Sequence, residues 1–286
     1  YNPHLGITAN PIEFVNVLNN ALKGLNTKAV ESIASDTLEA HDDYINWGDM
    51  PLEAPNSGVD LTSAFRSLRE KLEPDTIITN GAGNYAVWGH RLFRFSKVKT
   101  QLAPISGSMG YGLPAAIAAK LRFPDKMVIA LAGDGCFQMT ENELATAVQY
   151  NAGVIIFVID NEMYGTIRMH QHKNYKGKYK HTGLVNPNFA DLATAMGGKG
   201  YTVENTEDFY QTFVQANEWA NDIPLASAML SRHKGVTASQ LKQFHEQALH
   251  VRLQPFLNRG TFKWNRQITS LMHLLHCCCL HPVASL

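Results

Sequence analysis

The sequence predicts an α/β protein: a doubly wound parallel sheet with helices on both faces, preceded by a remnant of a second α/β domain. Three observations predict it. The apolar runs Met127 to Ala132 and Val154 to Ile159 read as strands buried on both faces. Segments of helical period separate such runs. Glycine-bearing turns fall directly after the strands, at the ends where parallel sheets bind ligands.

The elements follow in order. Residues 11–25 read as a helix, with Asn10 as cap, Pro11 in the first turn, and Phe14, Val17, Leu18, Leu22 and Leu25 at helical spacing. A polar stretch follows. It ends in residues 48–58, where two prolines and two glycines mark a linker. Asp60 caps a helix that carries Leu61, Phe65, Leu68 and Leu72 on one face. Thr76 to Thr79 is a short strand, and the turn Asn80-Gly81-Ala82-Gly83-Asn84 follows it. Leu113 to Leu121 is an Ala-rich helix. Thr140 to Glu143 reads as a capping box that opens a helix reaching Tyr150. Helices near 188–196 and 207–219 flank a strand at 200–203, and Pro224 to Leu230 supplies one more strand. Three domains are expected: 1–56, the end of a central domain plus linker; 57–230, the main domain; and 231–286, an atypical and poorly ordered tail.

Composition narrows the function. Hydrophobic residues make up 45% and charged residues 17% of the 286, enough for a sizeable core. No apolar stretch reaches the roughly 18 residues of a membrane span. The start, Tyr1-Asn2-Pro3-His4, has no signal-peptide pattern and no initiator Met, so a fragment is expected. Four cysteines, three of them adjacent, make no disulfide framework and suit the cytoplasm. The net charge of zero hides a basic tail, with seven Lys/Arg against Glu246 alone after Leu230. Those basic residues are scattered, so neither nucleic acid nor a membrane is an expected partner. The tail cluster His273, His276, Cys277, Cys278, Cys279 and His281 lacks the spaced pairs of a structural zinc site. An altered reading frame or a cloning remnant is its expected origin.

The chemistry concentrates at two strand ends. Gly133-Asp134-Gly135 follows one strand, its glycines admitting a bulky anion and Asp134 offering a hard oxygen ligand. Asn161 follows the next strand, so Asp134 and Asn161 are placed to meet one cation. A carboxylate, an amide carbonyl, a backbone carbonyl, a water and two phosphate oxygens would complete an octahedral magnesium site. A helix starting near Tyr164-Gly165-Thr166 would direct free N–H groups at the phosphates. Alone, Gly-Asp-Gly is as readily a tight turn. The run of strand, helix, apolar strand and acid/amide pair is the specific signal.

The block Gly133 to Thr140, with Glu143 to Ala147 and Asn161, resembles the thiamine-diphosphate motif of the acetolactate synthase large subunit and its relatives. Gly107 to Ala116 is similar to the same family's segment around the thiazolium and pyrimidine. The resemblance spans about residues 60–225, and residues 1–25 look like the end of the family's central domain. It implies thiamine diphosphate and Mg2+ as cofactors. Asp134 and Asn161 would ligate the metal through side chains and Met163 through its carbonyl. Ala82, Gly83, Asn84 and Tyr85 would form a turn on the diphosphate, where the family often has Gln-His in place of Asn84-Tyr85. Gly133 and Gly135 with Cys136, Tyr164, Gly165 and Thr166 would complete the cradle. Met109 would prop the cofactor's bend, against an ordinary core role, and the Gly107 carbonyl would accept from its amino group.

Two departures bear on the reaction. Where biosynthetic acetolactate synthases carry a substrate-pocket Trp, this chain has His170. Arg168 or His170 would either bind a substrate carboxylate or lie solvated on a helix. The glutamate that activates the cofactor belongs to an N-terminal pyrimidine-binding domain or subunit in this family, and no glutamate here has that context, so no catalytic residue is assigned. The expectation is the C-terminal cofactor part of an enzyme acting on 2-oxo acids by acetolactate-synthase-like decarboxylation and carboligation. It would be inactive alone, and a homodimer or tetramer when whole. A simple 2-oxo-acid decarboxylase, or half of a two-chain one, is the alternative within the class. A non-catalytic assembly module is the alternative outside it.

Overall fold

The computed structural model describes residues 6–23, 27–49, 55, 58–175, 177–222 and 227–232. The tail beyond 232, with its His/Cys cluster, and most of the 48–58 linker lie outside the described residues. The chain divides into two compact units, Tyr1–Trp47 and Gly48–Leu286.

The first unit holds α1 (Pro11–Leu22) and α2 (Thr27–Asp49), the latter ending just beyond the unit boundary. Asn10 caps α1 as expected, its Oδ1 accepting from Ile12 N at 2.9 Å. The second helix was legible only as a polar stretch. Its apolar residues are too sparse to make a clear stripe, so the period that reveals a helix is weak there.

The second unit is a six-stranded, all-parallel sheet in the order β2-β1-β3-β4-β6-β5. The strands are β1 (Ile77–Asn80), β2 (Gln101–Leu102), β3 (Val128–Gly133), β4 (Ile155–Asp160), β5 (Lys199–Val203) and β6 (Ser227–Arg232). Between them run α3 (Leu61–Arg69), α4 (Ala86–Leu92), α5 (Gly112–Arg122), the single turn α6 (Asp134–Phe137), α7 (Glu143–Gln149), α8 (Gly165–Tyr175), α9 (Phe189–Ala195) and α10 (Thr206–Asp222).

Alternation along the strands sorts side chains to two faces. Ile129, Leu131, Ile155, Phe157 and Ile159 point into one core layer, filled by Leu61, Phe65 and Leu68 of α3 and Phe209 and Phe213 of α10. Phe157 is the centre of that layer, with ring centroids of Phe65, Phe209 and Phe213 at 6.5, 5.6 and 6.2 Å. Val128, Ala130, Ala132, Ile156 and Val158 face the other layer. Leu113, Ala116 and Ile117 of α5, Leu144 and Ala147 of α7, and Phe189, Ala190 and Ala193 of α9 cover it. Helices therefore lie on both faces, and the doubly wound expectation holds.

One local reading is corrected. No capping box forms at Thr140–Glu143. Asn142 precedes α7 in helical conformation with no side-chain cap bond. The Thr140 hydroxyl donates instead to the Gly110 carbonyl at 2.9 Å, and Glu143 accepts from Thr146 at 2.7 Å. A tertiary bond to the loop before α5 has displaced the local one.

That loop enters α5 through Gly112, which packs closely against backbone. A Cβ there would stand 3.0 Å from Gly81 N, 3.1 Å from the Asn80 carbonyl carbon and 3.2 Å from the Leu131 oxygen. All three are backbone atoms of β1, its turn and β3. The helical gain from Gly to Ala is about 0.5–1 kcal/mol, and overpacking costs roughly 1–3 kcal/mol. Because backbone cannot rotate aside, overpacking wins. Gly112→Ala should lower the free energy of unfolding in urea, by about 1 kcal/mol or more.

Candidate functional site

β1 has β2 on one side and β3 on the other, so the chain reverses direction across the sheet at β1. Parallel sheets bind ligands in the crevice at such a reversal, beyond the carboxyl ends of the strands. The turn 81–85 leaves β1 there, and Asp134 opens α6 directly after β3.

Cys136 ties these loops together. Its buried Sγ accepts from the Tyr85 hydroxyl at 3.2 Å and from Gly110 N at 3.1 Å. A Cβ on Gly81 would stand 2.3 Å from that sulfur. The Tyr85 ring lies flat against glycine backbone, since a Cβ would come within 2.7 Å of it at Gly83 and 2.9 Å at Gly133. Gly83 also has φ of 151°, a conformation that favours glycine. Tyr85 and Cys136 are thus walls of the crevice, with their side chains spent on each other. Burial and the neighbouring thiol push the Tyr85 phenol well above its usual range, so it stays a neutral donor. Ala82, Gly83 and Asn84 remain half-buried at the rim.

The second wall comes from β4. Asn161 and Met163 are half-buried, and Glu162 between them has φ of 56°, which turns the chain sharply. Residues 162–164 then pair with 182–184: Tyr164 N donates to Thr182 O and Leu184 N to Glu162 O, both at 2.9 Å. Met163 faces Gly183 in that antiparallel bridge. In such a pair the central residue's own N–H and C=O point away from the partner strand. The Met163 N–H goes to Asp134 Oδ2 at 3.3 Å, and its carbonyl is turned to the same side.

α8 begins beside it. Its first N–H groups have no partner within the helix. Thr166 Oγ1 accepts from Asn84 N at 3.1 Å, which joins the β1 turn to this helix start. Gly165 leaves room for Asn161, whose Nδ2 would lie 3.2 Å from a Cβ there. Gly135 likewise accommodates the Tyr164 ring. The remaining expected positions lie on the loop before α5. Gly107 is exposed, has φ of 70° and faces open space, while Met109 is half-buried against the core.

Asp134 is the electrostatic centre. It is 3% exposed. Its Oδ1 accepts from Gly135 N at 2.8 Å, and its Oδ2 from Met163 N and from Asn186 Nδ2, the latter at 2.8 Å. Asn186 also donates to Asp160 Oδ1 at 2.7 Å. Among the described residues no Lys or Arg is paired with either carboxylate. Burial raises the Asp134 pKa above the ordinary value and the Asp160 charge adds to this, while the bonds from Asn186, Gly135 and Met163 act the other way. Two carboxylates sharing one amide, with a carbonyl turned toward them, form a site that a small hard cation suits. No cluster of three or more His, Cys, Asp or Glu exists for a metal among the described residues. The donor set expected here has one carboxylate, so it is not of that kind.

Asn186, Gln138 and Asp160 are members of this network that sequence reasoning missed. Only the Asn186-Pro187 turn signal before α9 could have drawn attention to the first. Arg168 is half-buried, with its guanidinium 4.3 Å from the centroid of the Tyr179 ring. His170 is half-buried on the same helix.

A parallel sheet with glycine turns and a buried acid at its switch point defines a phosphate-cofactor-binding domain. Residues 81–225, about half of the chain, match the family described as thiamine pyrophosphate enzyme, C-terminal TPP binding domain, and the chain belongs to that family. It is 43% identical over 129 residues to the mitochondrial acetolactate synthase catalytic subunit of Aspergillus candidus, covering 45% of this chain and 19% of that protein. It is 31% identical over 230 residues to the acetolactate synthase large subunit of Porphyra purpurea, covering 78% of this chain and 38% of that one. Among solved structures it resembles the thiamine diphosphate-dependent 4-hydroxybenzoylformate decarboxylase of Rhodococcus jostii RHA1. That match has a TM-score of 0.58 at 26% identity, over 65% of this chain and 34% of that chain. The chain thus spans well under half the length of these relatives.

A pH effect follows from the buried acid. A carboxyl whose folded pKa is raised binds its proton more tightly folded than unfolded, so stability falls as pH rises through the window above its ordinary 3.8. Asp134→Asn removes that titration. In metal-free buffer the wild type should lose stability relative to Asp134→Asn between acid and neutral pH, and denaturant melts at both ends of the range read the difference.

Proposed function

We propose that this chain anchors the diphosphate of thiamine diphosphate together with Mg2+, as the C-terminal part of an acetolactate-synthase-like enzyme acting on 2-oxo acids. The observation that carries the reading is the buried Asp134 carboxylate at the end of β3, bonded to the backbone N–H of Met163, which lies just beyond the end of β4. Asp134, Asn161 and the Met163 carbonyl hold the metal. The rim Ala82, Gly83 and Asn84, with the backbone of Gly135 and the α8 start at Tyr164, Gly165 and Thr166, receives the phosphates. Tyr85, Cys136 and Gly133 support that rim from behind. Met109 would support the cofactor's reactive ring, and the Gly107 carbonyl would accept from its amino group.

When bound, the cofactor supplies an electron sink for a carbanion next to a carbonyl. The chain's own residues would bind and orient its diphosphate, and the metal they hold would offset its charge. Activation at the pyrimidine needs a carboxylate from a separate N-terminal domain, reached in a homodimer or tetramer of the whole enzyme. The domain limits 1–56, 57–230 and 231–286 belong to this proposal. So does a cytoplasmic site, which suits the free buried thiol Cys136. No described helix is long and apolar enough to cross a membrane, and some fungal relatives are mitochondrial. A simple decarboxylase is the second reading, supported by His170 at the Trp position and by the likeness to a decarboxylase.

Two outcomes are expected. In calorimetry, thiamine diphosphate and Mg2+ bind together, and Asp134→Ala abolishes that coupled binding; unchanged affinity in the variant refutes the assignment. The purified chain, saturated with both, releases carbon dioxide from pyruvate far below an enzyme-like rate, because a positioned proton-transfer group contributes about 10²–10⁴-fold. Robust turnover that disappears in Asp134→Ala would place the catalytic carboxylate within this chain.

A further inference from the structure

Asn186 lies far along the chain from Asp134, on the loop between α8 and α9. Its place is set from both sides. The pairing of 182–184 with 162–164 holds the preceding residues. Pro187 and the α9 cap Asn188, which accepts from Ala190 N at 3.0 Å, hold those that follow. The side-chain amide then makes three bonds. Both hydrogens of Nδ2 are used, toward Asp134 Oδ2 and Asp160 Oδ1. Oδ1 accepts from Gln138 Nε2 at 2.8 Å.

This arrangement has one stable orientation. Turned over, the amide would aim its oxygen at two carboxylates and its hydrogens at the Gln138 amide donor. The Gln138 bond therefore works as an anchor against rotation. The consequence falls on Asp134. A carboxylate oxygen offers two acceptor positions. Oδ2 fills both, from Met163 and Asn186. Oδ1 fills one, from Gly135, and keeps the other.

We propose that Asn186, anchored by Gln138, is a positioning residue that occupies Asp134 Oδ2 and so presents Oδ1 as the metal-ligating atom. It also neutralises part of the repulsion between Asp134 and Asp160, which the cation alone would otherwise offset. Partners of this kind, one bond removed from the metal, typically change affinity about 10–100-fold when removed. The inference rests on the metal site proposed above, and the two are separable by experiment.

The test uses the full chain with saturating thiamine diphosphate and Mn2+ as a paramagnetic probe for Mg2+, free Mn2+ being counted by electron paramagnetic resonance. Asn186→Ala should raise the Mn2+ Kd about 10-fold or more. Gln138→Leu, which keeps Asn186 but frees its amide to rotate, should raise it by a smaller factor. Urea melts of the metal-free variants run alongside. Variants that lose stability while keeping the wild-type Kd would show a purely structural role and overturn the proposal. So would variants identical to wild type in both measurements. If Asn186→Ala does not fold, Gln138→Leu decides alone. Wild type that binds no Mn2+ overturns the metal site and the positioning role together, whereas wild-type binding with unchanged variants overturns the positioning role only.

Discussion

A carboxylate buried at a strand end, among hydrogen-bond donors but without a basic partner among the described residues, is the constraint on which this domain's site depends. Burying a charge is costly unless it is paired or coordinates a metal. Asp134 is tolerated because three donors converge on it from three separate segments: its own turn, the end of β4 and the loop before α9. Each segment is placed by something else. The β4 end depends on the Glu162 turn and the bridge at Met163 and Gly183, and the α9 loop on its cap. The acid thus reports whether the whole upper edge of the sheet is assembled.

The opposite edge of the crevice is built by exclusion of side chains. Gly81, Gly83 and Gly133 let Cys136 and Tyr85 approach within distances that no Cβ permits, and Gly112 sits close against strand backbone. The result is a rim made of main chain, and main-chain N–H groups suit phosphate oxygens because they carry partial positive charge without flexibility. The two halves of the crevice are therefore complementary. On the proposed reading, one half would supply a negative centre for a cation and the other main-chain donors for an anion, as a metal-bound diphosphate would need.

Membership of the thiamine pyrophosphate C-terminal family and similarity to acetolactate synthases support the proposed role in holding the cofactor's phosphate end. Ile105, Gly107 and Ser108, on the loop before α5, stand exposed.

The sequence by itself determined the central strands β3 and β4, because continuous apolar runs such as Ile155 to Ile159 leave no polar face to expose, whereas the two-residue β2 (Gln101–Leu102) carries no such run. It determined the caps at Asn10 and Asp60, where a side chain bonds a backbone only two residues away. It also put Asp134 and Asn161 at strand ends, since each directly follows a buried apolar run. The tertiary structure decided what local pattern cannot carry. Thr140 gave up its capping role for the Gly110 carbonyl, and Arg168 took the Tyr179 ring. Asn186 reached Asp134 and Asp160 from a distant loop. The reason is common to all three. A polar side chain interacts with the partner that folding brings within reach, and which partner that is depends on how elements are ordered in space, a property that no window of neighbouring residues encodes.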